Sequence, residues 1–157
     1  MSEDNQLTVE MTHVEGLEFS VRFDPDGSNT WSDKPFSVGG GAGPSASRLL
    51  AVAAANCLSA SLLYCVAKNS PPAGSLKARA VCRVGRNEKG RSRVGSIEVT
   101  LEVNGEFEQA VRMQRCLGLY EEFSVAAVSL RQGFPVKVRV VNERGETLHQ
   151  NPGPESA

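Results

Sequence analysis

Between Gly43 and Ala67 the chain reads Gly-Pro-Ser-Ala-Ser-Arg-Leu-Leu-Ala-Val-Ala-Ala-Ala-Asn-Cys-Leu-Ser-Ala-Ser-Leu-Leu-Tyr-Cys-Val-Ala. Ser45 has the chemistry of an N-cap, with Arg48 at the third helical position. From Leu49 onward the run is apolar almost all round and rich in small residues, which predicts a long helix buried on most sides. Pro71, Pro72 and Gly74 close it off. Asn56, Ser59 and Ser61 interrupt the run, so no uninterrupted apolar stretch reaches the roughly 18 residues of a membrane span.

Outward from this helix the periodicity changes. Leu7, Val9 and Met11 alternate with polar residues, as do Leu17, Phe19, Val21 and Phe23 after a turn at Glu15-Gly16, so residues 6–23 read as two strands. Asp24-Pro25-Asp26-Gly27 is turn chemistry, and a third short strand is read around Thr30–Trp31 or running on to Val38. Residues 76–85 and 94–103 read as two long strands joined at Arg86–Gly90. A helix is expected from Asn104, with Phe107, Ala110, Val111, Gln114, Leu117 and Gly118 on one stripe. A short helix then begins at Ser124 and stops before Gly133, with Ser124 as N-cap. Val136, Val138 and Val140 form a further strand, and residues 151–157 read as a disordered tail. Hairpins segregated from a central helix define an α+β fold in one domain, residues 1–150. So small a chain that surrounds one helix needs a partner subunit, which favours a homodimer.

At 157 residues, 40% hydrophobic and 22% charged, the chain can build one core. Seventeen basic against 18 acidic side chains give a net charge of −1, which excludes a general binder of nucleic acid or anionic membrane. The acidic, polar start Met1–Asn5 is unlike a signal peptide, and the expected location is cytoplasmic. Cys57, Cys65, Cys82 and Cys116 are too few for a disulfide scaffold and form no Cys-x-x-Cys pair. No metal or cofactor site is expected from them, and His13 and His149 read as surface residues. In a reducing compartment the thiols are either buried filler or redox groups. Gly39–Gly43 lacks the following Lys-Ser/Thr of a phosphate loop. Arg83, Arg86, Lys89, Arg91 and Arg93 read as a solvated hairpin tip without the aromatics of an RNA surface.

Residues Gly43–Ser59 resemble the central-helix signature of the OsmC/Ohr family of thiol peroxidases, G-P-S-P-x-E-L-L-L-A-A-L-A-x-C. Residues Tyr120–Val136 resemble the same family's second block, F-C-x-V-x-x-S-[VL]-R-x-G-[VI]-P-V. The two blocks stand in the family's order, and the resemblance spans roughly residues 6–142. It implies antiparallel sheets around a long buried helix in an intertwined homodimer. It also implies attack on an organic hydroperoxide by Cys57, with an external thiol or dithiol as reductant. Two positions depart from the pattern. Ser124 stands where the family has its second cysteine, and a serine cannot resolve a sulfenic acid. Arg48 stands where the family usually carries a glutamate. A cation there opposes the helix dipole, so Arg48 either pairs with an acid such as Asp33 or Glu122, or serves an anion or the Cys57 thiolate. Cys65, eight residues beyond Cys57 on one helix, lies about 12 Å along the axis, beyond disulfide reach. Two functions stay open: a one-cysteine peroxide reductase, or a catalytically degenerate dimer that binds an apolar or anionic ligand between subunits.

Overall fold

The computed structural model describes residues 5–25, 38–40, 43–68 and 70–154. Six strands form one sheet: β1 Asn5–His13, β2 Phe19–Arg22, β3 Leu76–Arg86, β4 Ser92–Val103, β5 Val136–Val141 and β6 Thr147–Asn151. Their spatial order is β2-β1-β3-β4-β5-β6. The helices are α1 Ala46–Ala67, α2 Gly105–Glu108, α3 Met113–Leu117 and α4 Val125–Leu130, with a 3-10 turn at Tyr120–Phe123 before α4. The α+β class is as expected. The sheet is mixed rather than wholly antiparallel, because β5 runs parallel to β4. The segment from Asn104 to Pro135 carries the chain back across the fold, and such a crossover delivers the next strand in the same direction.

Alternation along each strand sends one set of side chains to the core, and the register aligns them in rows. Val9 faces Ala80, Ala80 faces Val99 and Val99 faces Val138; the next row is Met11, Ala78, Leu101 and Val140. All eight are buried. Against these rows α1 lays Ala51, Ala54, Ala55, Leu58, Leu62, Leu63 and Val66. By length and composition α1 could cross a membrane, but here it is the core helix of the sheet. Ser45 caps it as expected, its side chain accepting from Arg48 N at 3.3 Å. The prediction of burial on most sides is met only in part: Ala53, Asn56 and Tyr64 are exposed and Cys57 is half-buried.

Three local expectations are corrected. The helix after Asn104 is two short helices; Asn104 caps the first by accepting from Phe107 N at 2.8 Å, and Val111, assigned to the apolar stripe, is fully exposed in the break between them. Residues 151–154 are ordered: Asn151 ends β6, an edge strand whose one large apolar residue, Leu148, gives no alternation to read. His13 is buried, not superficial. Its Nδ1 accepts from Ser75 N at 3.1 Å, so the proton is on Nε2, which faces Gly16 O at 2.9 Å. The strand near Thr30–Trp31 and much of the glycine run lie outside the described residues.

Cys65 and Cys116 form a disulfide across 51 residues, joining α1 to α3, while Cys57 and Cys82 are free thiols. In the chain-entropy account, closing a loop of this length restricts the unfolded chain by about 4 kcal/mol. Cys116→Ala is expected to lower unfolding free energy by about 2–4 kcal/mol in non-reducing urea melts. Mass spectrometry after alkylation should label Cys57 in the native protein, Cys82 only after unfolding, and Cys65 and Cys116 only after reduction.

Candidate functional site around Cys57

Cys57 lies midway along α1, on the side turned away from the sheet and toward α4. Its sulfur accepts a hydrogen bond from Ala126 N at 3.3 Å. Ala126 belongs to the first turn of α4, two residues beyond Ser124. The fold therefore brings together the two stretches that the resemblance pairs, although they are nearly seventy residues apart in sequence. An N–H donor aimed at sulfur stabilises negative charge there. Cys82, by contrast, is enclosed in β3, and burial pushes its thiol up from the ordinary cysteine value, as expected of inert filler.

Ser124 occupies the N-cap position of α4 but does not cap it with its side chain. The hydroxyl is buried and donates backward to Tyr120 O at 3.0 Å. Its backbone does the local work: Ser124 N donates to Glu121 O at 3.0 Å, and Val128 N donates to Ser124 O at 2.9 Å.

Arg48 is placed elsewhere. It precedes Cys57 by nine residues, which on an α-helix is about half a turn round and about 13 Å along. Its guanidinium donates to Thr8 O at 3.0 Å and Phe23 O at 2.5 Å, and an ion pair to Asp24 spans 3.7 Å. Arg48 thus fastens the start of α1 to the β1–β2 hairpin, and these contacts offset its unfavourable place in the helix dipole. Asp24 is the acid found among the described residues; Glu122 is exposed, and Asp33 lies outside them.

A second polar group, not anticipated from sequence, stands beside this site. Glu121 receives Arg131 Nη2 at 2.5 Å and Asn151 Nδ2 at 3.0 Å on one oxygen, and His149 Nε2 at 2.5 Å on the other. Burial opposes ionisation of Glu121, but the hydrogen bonds from Asn151, His149 and Arg131 outweigh it and hold the carboxyl below the ordinary glutamate range. The Tyr120 ring meets His149 edge-on, and its buried hydroxyl has no hydrogen-bond partner among the described residues. Tyr120, Glu121 and Arg131 of this group fall in the second sequence block; His149 and Asn151 on β6 lie outside it and carry no signal. Among the described residues no cluster of His, Cys, Asp and Glu could hold a metal ion.

No protein-family model, curated protein or solved structure matches the chain.

Two predictions follow from these contacts. Arg48→Met should lower stability by about 1–3 kcal/mol, since two chain carbonyls lose their donor, while the native alkylation rate of Cys57 stays within about twofold of wild type. A folded-state carboxyl held low contributes stability that is present above its unfolded value and lost as pH falls through the folded one. The stability advantage of wild type over Glu121→Gln should therefore be constant near neutral pH and shrink below about pH 4.5, as read from urea melts at descending pH.

Proposed function

We propose that this chain is an OsmC/Ohr-like thiol peroxidase that works as a homodimer and reduces organic hydroperoxides through Cys57. The observation that carries the reading is the Ala126 N–H at 3.3 Å from the Cys57 sulfur. It puts an N–H donor on the thiol, from a residue two positions beyond Ser124, which supports a pairing of the two sequence blocks. The thiolate attacks the terminal oxygen of the hydroperoxide. The O–O bond breaks, sulfur takes the OH as a sulfenic acid, and the alkoxide takes a proton and leaves as the alcohol. An external thiol then forms a mixed disulfide with Cys57 and releases water. A second thiol displaces it, restoring Cys57 and leaving the reductant as its disulfide.

External recycling is needed because the chain offers no resolving thiol. Ser124 cannot serve, Cys65 and Cys116 are already paired, and Cys82 is enclosed in the sheet. In the cytoplasm expected for the protein, the burial of Cys116 would shield that disulfide from glutathione. A second copy would cover the apolar side chains flanking Cys57: Tyr64 at 54%, Phe123 at 68%, Val125 at 75% and Val128 at 41% exposure.

A second reading is favoured by Ser124 and Arg48, whose polar groups are spent on structural bonds. On that reading the dimer binds an apolar or anionic small molecule without turnover.

Intact mass after a slight excess of an alkyl hydroperoxide separates the two. The peroxidase reading expects one added oxygen in the wild type and none in Cys57→Ser. It expects loss of two hydrogens in Ser124→Cys, where a resolving thiol is restored. Unchanged mass in the wild type and Ser124→Cys would reject it. Light scattering should give twice the chain mass, and a monomer would remove the dimer from the proposal.

A further inference from the structure

Glu121 touches neither Cys57 nor any group that meets it, yet its bonds converge on the helix that does. Its main-chain oxygen accepts from Ser124 N at 3.0 Å, at the start of α4. Its carboxylate accepts from Arg131 at 2.5 Å, at the end of α4. The two ends of one six-residue helix are thus tied to a single residue. Arg131 is held further by Nε donating to Val136 O at 3.0 Å, which fixes it to the first residue of β5. His149 and Asn151 bring β6 to the same carboxylate. The 3-10 turn, α4, β5 and β6 therefore share one anchor, and that anchor is a carboxylate on the turn before Ser124.

So short a helix has little stability of its own, and its place is set by what holds it. Three donors on one half-buried carboxylate make a strong anchor, because charge-assisted bonds are shorter and stronger than neutral ones. What the anchor positions is the Ala126 N–H against the Cys57 sulfur. At 3.3 Å this is a close N–H···S contact, and its length and direction follow wherever α4 is held.

We infer that Glu121 is a positioning residue for Cys57: by clamping both ends of α4 and docking them to β6, it holds the Ala126 amide on the sulfur and so sets the reactivity of the thiol. The inference rests on Cys57 as the reactive thiol of the proposed function. The charged and titratable groups facing Glu121 are Arg131 beyond α4, His149 on β6 and Tyr120 on its own turn.

The test compares wild type with Glu121→Gln, Glu121→Asp and Asn151→Ala by two measurements that do not require peroxide. One is the amide resonance of Ala126 in a proton–nitrogen correlation spectrum. The other is the rate of Cys57 alkylation by iodoacetamide across pH. Glu121→Gln is expected to move the Ala126 resonance and slow the alkylation near neutrality by about three- to tenfold. Asn151→Ala should do the same to a smaller degree, and Glu121→Asp should restore part of the rate. His13→Ala, which destabilises the fold by removing the ring bonded to Ser75 and Gly16, should leave both readouts at wild-type values. A folded Glu121→Gln with an unmoved Ala126 resonance and the wild-type profile would overturn the inference. If that variant does not fold, unchanged readouts in Asn151→Ala would overturn it equally. A wild-type Cys57 that alkylates readily but ignores hydroperoxide would defeat the peroxidase reading and leave this inference to be judged on its own data.

Discussion

Where Cys57 points is decided by the burial of one face of α1 on the sheet. Leu58, Leu62 and Leu63 belong to the same buried cluster as the valine and alanine rows of the sheet, against which α1 packs chiefly at β1, β3 and β4. Small residues in those rows, Ala78 and Ala80, let the helix approach closely, and the leucines fill the remaining volume. With that face committed, Cys57 is turned toward the opposite side, where the chain between β4 and β5 returns. Removing any of the three leucines would open a cavity and release the rotational setting of the helix along with stability. The thiol's surroundings are therefore a consequence of core packing as much as of its immediate neighbours.

The returning chain is short of regular structure. Residues 104–135 contain helices of only four to six residues and one 3-10 turn. Helices of that length do not persist alone, and three different cross-links hold them. Asn104 caps the first, the Cys65–Cys116 disulfide ties the second to α1, and Glu121 ties the last to β5 and β6. The disulfide and the carboxylate reach different rigid elements, and the buried Phe107, Met113, Leu117 and Tyr120 seat the segment on the core. Val111, Phe123 and Val125 stay exposed.

The legible parts of the sequence were those whose signal is local. The alternation of Ile97, Val99, Leu101 and Val103 and the Ser45 cap translate into β4 and the start of α1 without help from the rest of the chain. The α+β class followed from their order. Contacts that depend on distant partners were not legible. Glu121 draws its ligands from 10, 28 and 30 residues away, and nothing in Leu148-His149-Gln150-Asn151 marks a strand, since an edge strand needs only one buried face and here barely has that. The same limit applied to Arg48: its type at the third helical position demanded a partner, but that the partners would be two chain carbonyls and Asp24 depends on how the β1–β2 hairpin folds over the helix start. Ser124 stands at the head of α4 as its type suggests, yet its hydroxyl bonds back to Tyr120 O instead of capping the helix, a competing local bond open to any serine.

On the proposed function, a serine at position 124 in place of a second cysteine changes more than the identity of the resolving group. A resolving cysteine regenerates the site from inside, so the cleft need admit only the peroxide. With Ser124 buried and bonded to Tyr120, the reductant itself would have to reach the Cys57 sulfur. Phe123, Val125, Val128 and Tyr64 are exposed apolar groups on α1 and around α4, the surface that a second subunit would cover on the same proposal. A dimer that sealed this face fully would protect the sulfenic acid from water and strand it from thiols. One that left a passage would be recycled at a rate set by the width and polarity of that passage. On the proposed function, the subunit interface would then select the reductant, and an apolar lining would favour a hydrophobic thiol over a charged one such as glutathione. The chemistry of a one-cysteine site would depend on the partner subunit at the step where the two-cysteine site depends on its own chain.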